Sequence, residues 1–439
     1  MERESFEDDE VAEVMNKVFV SIKVDREERP DIDHAFMTVC QLMTGGGGWP
    51  LNIVMTPDKK PFFAGTYLPK YSQQGRIGLI DLCSRIEHMW LHDRTHIDDA
   101  TEKIVAALNL TTKQNPTDIL DVEVLKTAFL QLSHRFDPKY GGFGDAPKFP
   151  TPHNILFLLK YWKRSGDERS LEMAKLTLDQ MRLGGIFDHV GFGFHRYSTD
   201  AQWLTPHFEK MLYDQAMIAL AYTEAYLATG KISYKKTAEE IFDYVLRDLT
   251  SPEGAFYSAE DADSEGKEGK FYIWTLDEIR EALPDNEANL VERAFNVFSM
   301  GNFKEESTQS LTGQNILHLR KPLQKLNDQF GFSDSEIQQN WESARKQLFK
   351  IRDKRIHPHK DDKILTDWNG LMIAALSKAS RVFKNKDYAL AAAKAADFII
   401  TSMRDSYGRL LRRYRLGKAG ISAHLDDYSF FIWGLLELY

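Results

Sequence analysis

The residues best suited to chemistry lie in one glycine-rich segment, residues 184–214, GGIFDHVGFGFHRYSTDAQWLTPHFEKMLYD. It holds three of the thirteen histidines, together with carboxylates and several aromatic rings. Imidazole and carboxylate groups transfer protons near neutral pH. Glycine lets the backbone turn sharply and approach a ligand closely. The composition therefore favours a binding or acid–base site over a plain connection between helices.

The end of this segment, WLTPHFEKMLYDQ, carries the main candidates for acid–base chemistry. Its Thr-Pro pair is typical of a helix N-cap and first helical position, which predicts a helix over 207–229. His207 and Glu209 then fall in the first turn, and Asp214 lies two turns further along the same face. We predict His207 and Glu209 as a catalytic pair and Asp214 as a substrate ligand. The structural alternative is that Glu209 stabilises the helix dipole while His207 packs under the loop.

The earlier part of the segment supplies further predicted ligands. The alternation in residues 191–197, GFGFHRY, predicts a small hairpin that reaches over a cavity. We predict that five side chains around it bind substrate, namely Asp188, His189, His195, Tyr197 and Trp203. The spacing of these histidines and acids matches no standard zinc pattern, so we predict no metal site and no cofactor.

Three later stretches resemble this segment in residue type. An acidic loop, SAEDADSEGKEGK, lacks the spacing of a calcium-binding EF-hand. Two helices, in ILTDWNGLMIAALSKA and SAHLDDYSFF, open with histidine or aspartate beside an aromatic ring. A helix cap and a solvated loop would also explain such residues. We predict that these stretches line the same cavity and supply six substrate ligands, Asp261, Asp263, Asp367, Trp368, His424 and Asp426.

Composition limits the class of partner. The net charge of −9 argues against nucleic acid, because phosphate binding needs clustered lysine and arginine. No apolar run approaches the ~20 residues that span a bilayer, and the acidic start MERESFEDDE is not a signal peptide. Cys40 and Cys83 form no C-x-x-C motif, so we expect two reduced, buried thiols. We predict a cytoplasmic protein that binds a small molecule or sugar, with no nucleic-acid or membrane partner.

The pattern of secondary structure changes near residue 112. Before it, strand patterns at 18–24, 52–56 and 61–64 alternate with helical ones, and the last helix covers 79–108. After it, we predict only helices, near 121–135, 153–164, 168–183, 207–229, 233–249, 276–297, 334–352, 368–384, 386–404 and 425–439.

Short loops within helix pairs and long loops between them predict an α/α toroid. In such a fold, inner and outer helices alternate and the long loops gather at one mouth. Six hairpins need twelve helices, whereas about ten are predicted, so we expect an incomplete ring. The polar segment 302–333 is predicted to be an inserted loop.

The chain resembles the spermatogenesis-associated protein 20 family in four runs, MERESFEDDEVAEVMNKVFVSIKVDREERPDID, GGGGWPLNIVMTPDKKPFFAGTYLP, KYGGFGDAPKFP and FDHVGFGFHRYSTDAQWLTPHFEKMLYDQ. The resemblance covers nearly the whole chain. It implies a multidomain fold, with an α/β thioredoxin-like domain over 1–112 followed by a mainly α, glycosidase-like (α/α)6 toroid over 113–439. In the family, a C-x-x-C-type sequence precedes the stretch that matches Met1. The resemblance therefore implies a chain truncated at its start, without the redox cysteines and the first strand. The final run LDDYSFFIWGLLELY stays apolar to its last residue and has no glycine cap or polar tail, so we expect truncation at the C-terminus as well.

Three functions stay open on these grounds. The first is a carbohydrate-related enzyme or sugar-binding protein that uses the toroid mouth. Hydrolysis would need two carboxylates there, and epimerisation would need two bases. The second is a thioredoxin-like redox protein whose active-site cysteines lie outside this chain. The third is a non-catalytic binding scaffold, since a fold alone does not select a function.

Overall fold

A computed structural model describes residues 1–73, 75–111, 121–304, 310–326 and 330–439. The chain separates into two compact units, Met1–Ile119 and Leu120–Tyr439. The predicted domain boundary after residue 112 lies outside the described residues.

In its described residues, the first unit combines four α-helices with one strand pair. Its helices are α1 (Asp9–Val18), α2 (Pro30–Thr44), α3 (Leu79–His92) and α4 (Arg94–Thr111), and its antiparallel strands are β1 (Asn52–Met55) and β2 (Pro61–Gly65). The Asp8 side chain caps α1 by accepting hydrogen bonds from two backbone N–H groups of the first turn. Both cysteines are free and buried, and burial raises the pKa of the Cys83 thiol to about 11. A thiolate, the nucleophilic form, is therefore scarce at Cys83 near neutral pH.

Two expectations for this unit are wrong in detail. Residues 19–24 form no strand, although the sequence predicts one over 18–24. The side chains of Val20 and Ile22 are 92% and 80% exposed, and no strand of the described residues pairs with this stretch. β-branched residues favour an extended backbone, but a sheet forms only where a second strand is available to pair. The helix predicted over 79–108 is two helices that divide at Asp93.

The second unit is mainly helical. Its helices are α5 (Glu123–Arg135), α6 (Pro152–Ser165), α7 (Glu168–Leu183), α8 (Leu212–Thr229), α9 (Ile232–Asp248), α10 (Leu276–Ala282), α11 (Asp285–Ala294), α12 (Asp334–Arg352), α13 (Thr366–Phe383), α14 (Lys386–Ser402) and α15 (Leu425–Leu438). Within the described ranges, no helix is both long enough and apolar enough to cross a lipid bilayer.

Inner and outer helices alternate in this unit, as predicted for a toroid. Helix α6 packs against α8, α8 against α13, and α13 against α15, which makes these four the inner helices. Helices α7, α9 and α14 lie outside them and pack mainly against α6, α8 and α13, respectively. Most residues of α8 and α13 are buried, because helices contact them on several sides.

Helices α10, α11 and α12 form a second core outside the ring. Leu290, Phe295, Trp341 and Leu348 are buried in it. The expectation that α12 belongs to a ring hairpin is therefore wrong, because helical periodicity does not specify a neighbour. The described part of residues 302–333 is more than a polar loop, since Leu317, Leu319 and Leu323 also pack into this second core. Residues 305–309 and 327–329 of that prediction lie outside the described residues.

Short strands replace the predicted start of α8. Strand β3 (Tyr197–Ser198) pairs with β4 (Pro206–His207), and β5 (Lys210–Met211) pairs with β6 (Ala259–Glu260). In these pairs, backbone polar groups of residues 206–207 and 210–211 bond to another strand, so they are not available for hydrogen bonds within a helix. Helix α8 consequently begins at Leu212 instead of residue 207. Residues 191–197 likewise form no hairpin of their own.

The remaining strands hold the loops beside the inner helices. They are β7 (Asp263–Ser264), β8 (Lys267–Glu268), β9 (Lys360–Asp361), β10 (Ile364–Leu365), β11 (Leu411–Arg415) and β12 (Lys418–Ser422). Strand β9 extends the β5–β6 pair just before α8, and β10 joins the β11–β12 hairpin just before α13. The starts of both inner helices are therefore fixed by small sheets.

Candidate functional site

Four charged side chains, which we call the charged cluster, meet just before α8. Arg196 Nη1 donates to Glu209 Oε2 at 2.7 Å. His207 Nδ1 lies 2.7 Å from Oε1 of Glu268, while its Nε2 lies 3.7 Å from Oε2 of Glu209. These side chains are 22–35% exposed. The cluster is therefore both ordered by contacts and open to a ligand.

Strand pairing places aromatic rings beside the charged cluster. Tyr197 on β3 is opposite His207 on β4, and their rings stack with centroids 5.0 Å apart. Phe149 stacks on Tyr197 at 4.7 Å, and Phe149 is 45% exposed. We call Phe149, Tyr197 and His207 the ring stack. It carries a flat apolar surface from the solvent to the imidazole.

Asp214, in the first turn of α8, lies next to the charged cluster but is buried. It is 7% exposed, and its Oδ2 atom has no hydrogen-bond partner among the described residues. Burial, opposed by Arg196 and assisted by Glu209, raises the pKa of Asp214 to about 8. The carboxyl is therefore mostly protonated at neutral pH. The prediction that Asp214 shares a helix face with His207 is wrong, because α8 begins after His207.

The raised pKa of Asp214 predicts a stability that falls with pH. Between its ordinary value of 3.8 and about 8, the folded protein holds a proton that the unfolded chain releases. The contribution of Asp214 to the free energy of unfolding is thus complete below pH 3.8 and declines as the pH rises through 8. We expect Asp214→Asn, which cannot ionise, to flatten this decline. Urea titrations at pH 5, 6, 7 and 8 would measure it.

The control for this prediction is Asp426→Asn, because Asp426 is exposed on the next-but-one inner helix. Its stability curve should parallel that of the wild type. Equal slopes for wild type and Asp214→Asn would contradict the assignment of the buried proton to Asp214.

Three predicted ligands support the loop instead of facing a ligand. Asp188 is buried between Lys210 and Arg352, whose nitrogens lie 2.9 and 2.8 Å from its carboxylate oxygens. Burial alone would raise the pKa of Asp188, but the two cations hold it well below its usual range. His189 and His195 are also buried, and burial lowers the pKa of each imidazole to about 3. All three side chains are inaccessible, which corrects their prediction as substrate ligands.

Trp203 is also a core residue. Its side chain is fully buried, and its Nε1 donates to the carbonyl of Tyr140 at 2.8 Å. A Cβ atom on Gly184 would lie only 2.2 Å from the Trp203 carbonyl oxygen, which explains the glycine at that position. The prediction that the Trp203 side chain binds substrate is therefore wrong, because no ligand can reach it.

The start of α13 adjoins the start of α8. Trp368 is partly exposed, and its ring meets the Tyr213 ring edge-on with centroids 4.8 Å apart. Tyr213 directly precedes Asp214 in the chain. Asp367 is buried, and Arg412 Nη1 lies 3.1 Å from its Oδ2. Burial raises the pKa of Asp367 to about 7, although Arg412 opposes the shift. Of the two predicted ligands here, Asp367 and Trp368, Trp368 is therefore the accessible one.

The last inner helix contributes a buried acid that is not among the predicted ligands. Asp427 is fully buried, and Arg412 donates to it at 3.1 Å. The neighbouring Asp426, which was predicted as a ligand, is exposed, and His424 is half-buried at the N-cap of α15. The network at this helix start therefore runs through Asp427 instead of Asp426.

The acidic loop contributes through Glu268 instead of the predicted aspartates. Asp261 is exposed, and Asp263 pairs across the β7–β8 hairpin with Glu268. Arg196 and Glu268 were both missed. The dipeptide Glu265-Gly266 in a two-residue turn was the available signal for the hairpin, since such turns favour glycine.

Surface grooves occur elsewhere, but they offer less chemistry. One of about 730 Å³ lies between α5 and α6 and is lined by apolar and polar side chains in equal number, with His134 and Arg135 as its ionisable groups. We place the candidate site at the charged cluster because proton-transfer groups converge there. Among the described residues, no three His, Cys, Asp or Glu side chains are grouped to hold a metal ion.

Comparisons with known proteins bear on the fold class of the chain. The family model Thioredox_DsbH, described as a protein of unknown function (DUF255), matches residues 1–109. Glycoside hydrolase family 76 (mannosidase) Bt3792 from Bacteroides thetaiotaomicron VPI-5482 is similar over 73% of this chain and 64% of that chain, with a TM-score of 0.41 and 13% identity. The fold class is confirmed as a thioredoxin-like unit followed by a mainly helical, toroid-like unit.

Two curated relatives align with all of the chain. Spermatogenesis-associated protein 20 from Homo sapiens is 38% identical over 475 residues, and the chain covers 60% of its length. Uncharacterized protein B0495.5 from Caenorhabditis elegans is 34% identical over 468 residues, and the chain covers 64% of it. The chain thus spans less than two thirds of these relatives. Since the alignments include every region described above, the predicted resemblance to the spermatogenesis-associated protein 20 family is confirmed over the whole chain.

Proposed function

We propose that the protein is a carbohydrate-related enzyme or sugar-binding protein that uses the charged cluster. The observation that carries this proposal is the gap between His207 and Glu209. His207 Nε2 and Glu209 Oε2 are 3.7 Å apart, which is too long for a hydrogen bond between them. Each group is held from its other side, by Glu268 and Arg196 respectively. A ligand hydroxyl placed beside both atoms, about 2.8 Å from each, would contact an imidazole and a carboxylate together.

The two groups suit opposite directions of proton transfer. Burial lowers the pKa of His207, but the hydrogen bond and charge of Glu268 and the charge of Glu209 outweigh it, so the net shift is upward. His207 therefore holds a proton more readily than a free imidazole. Glu209 accepts a charge-assisted hydrogen bond from Arg196. In the proposed reaction, His207 donates a proton and Glu209 accepts one.

The ring stack supports a sugar over other polyols. A pyranose ring has an apolar face of C–H groups, which an aromatic ring covers well, and hydroxyls at its edge. Phe149 and Tyr197 present such a surface, and the charged cluster begins at its inner end with His207. Trp368 offers a second partly exposed ring near Asp214.

A thermal-shift screen of the full chain tests this proposal. The probes are monosaccharides, disaccharides, sugar phosphates and amino sugars, because a ligand of the folded state raises the melting temperature. We expect at least one class to raise it, and we expect Glu209→Gln to abolish that increase. Asp261→Asn, a change at an exposed acid outside the charged cluster, should respond like the wild type.

Two results would overturn the proposal. One is a folded wild type that no sugar class stabilises at millimolar concentration. The other is a sugar that stabilises Glu209→Gln as strongly as the wild type, since its site would then lie elsewhere.

A further inference from the structure

Glu268 contacts Nδ1 of His207, whereas Nε2, the other ring nitrogen, faces Glu209. The Glu268 Oε1 atom is 2.7 Å from His207 Nδ1 and accepts the backbone N–H of Phe208 at 3.3 Å. One carboxylate oxygen therefore contacts both the imidazole and the backbone that follows it. This arrangement fixes the ring relative to its own strand.

The hairpin that carries Glu268 is itself anchored. Its turn residues, Glu265 and Gly266, have φ values of 51° and 72°, which is typical of a tight type I′ turn. At the far end, Gly269 has a φ of 73°, and a Cβ atom there would lie 2.4 Å from the Phe208 ring. Ser264 Oγ donates to the carbonyl of Ile356 at 2.6 Å. Glu268 is therefore presented to His207 from a loop that packs on both sides.

We propose that Glu268 is a positioning residue that forms a carboxylate–histidine dyad with His207. Glu268 accepts the Nδ1–H of the imidazole, and Nε2 is left facing Glu209 as the nitrogen that exchanges a proton with the ligand. The role of the dyad in catalysis rests on the function proposed above, whereas its geometry does not. A carboxylate behind a histidine selects one tautomer, fixes the ring plane and stabilises the imidazolium.

The charges around His207 are consistent with this role. Four groups face the imidazole. Two lie on strands, Glu268 on β8 and the Tyr197 ring on β3, and two lie next to strands, Glu209 between β4 and β5 and Arg196 just before β3. The two acids raise the pKa of His207, while burial and Arg196 lower it. Burial alone would raise the pKa of Glu268, but His207 lowers it, so the two shifts agree in sign with an ion pair.

Nuclear magnetic resonance of the full chain, labelled in the histidine ring, tests the dyad without any sugar. Assignment of the His207 signal uses His207→Gln. In the wild type, above the midpoint of its titration, neutral His207 should carry its proton on Nδ1. In Glu268→Gln, its pKa should fall by about 1 unit, because a facing negative charge is lost. Glu265→Gln, in the same hairpin but on the turn, should leave the titration unchanged.

Several results would overturn the dyad. They are an Nε2–H tautomer in the wild type, an unchanged pKa in Glu268→Gln, and an equal fall in Glu265→Gln. The tautomer is read in the unaltered protein, so the test holds even if Glu268→Gln does not fold. Failure of the sugar screen would leave these results standing, and failure of the dyad would leave a sugar site standing, so the two proposals are separable.

Discussion

Asp188→Asn is expected to destabilise the second unit by about 3–5 kcal/mol, because it leaves two buried cations without their carboxylate. The side chains of Asp188, Lys210 and Arg352 are 2–4% exposed, so water does not replace the lost charge. The asparagine keeps the shape of the side chain, which excludes a cavity as the cause. Urea unfolding followed by circular dichroism would give the change in the free energy of unfolding.

Asp261→Asn is the matched control for this change, since Asp261 is an exposed acid of the same unit. It should change the free energy of unfolding by less than about 0.5 kcal/mol. If Asp188→Asn were as harmless as the control, the buried ion network would not be the support of the loop that we infer.

Glu209→Gln should lower kcat by about 10²–10⁴ on any sugar that the protein turns over, because general acid–base catalysis contributes about that much. His207→Gln should lower kcat by a similar factor. If the two residues act as one proton-transfer pair, the double variant should lose little more than either single variant. Steady-state kinetics on a hit from the sugar screen would measure all three.

Folding of these variants must be checked by circular dichroism, and Asp426→Asn serves as the active control on an exposed helix start. Full activity in folded Glu209→Gln and His207→Gln would eliminate the charged cluster as the reaction centre. Multiplicative losses in the double variant would instead assign the residues to independent steps.

Local signals were sufficient for most helices. Helix α7 covers Glu168–Leu183 as predicted, because Asp167 caps its first turn and Gly184 follows its last residue. Helices α10 and α11 divide at Pro284, which the sequence marks directly. The start of α8 was not predictable in this way. Residues 210–211 pair with residues 259–260, and partners that far apart leave no local pattern.

The candidate site was also predicted only in part, because some of its contacts are distant in sequence. His207 and Glu209 were predicted from residue type, and the structure brings them together. Glu268 was missed because its contact with His207 spans 61 positions of the chain. Asp188 has the residue type of a ligand, yet its partner Arg352 is 164 positions away and occupies both carboxylate oxygens. Residue type shows which chemistry a side chain can perform. Its burial and its distant partners determine whether a ligand can reach it.

The contact between Arg352 and Asp188 makes the surroundings of Asp188 sensitive to substitutions and deletions in α12. Arg352 is the last residue of α12, in the second core, whereas Lys210 on the other side of Asp188 directly follows Glu209. Excising residues 276–352 to obtain a minimal ring would therefore remove the guanidinium and leave Asp188 and Lys210 facing an open gap. We therefore expect changes in α12, such as at Leu348, to disturb the segment that carries Asp188 and Lys210 although they touch no residue of the charged cluster.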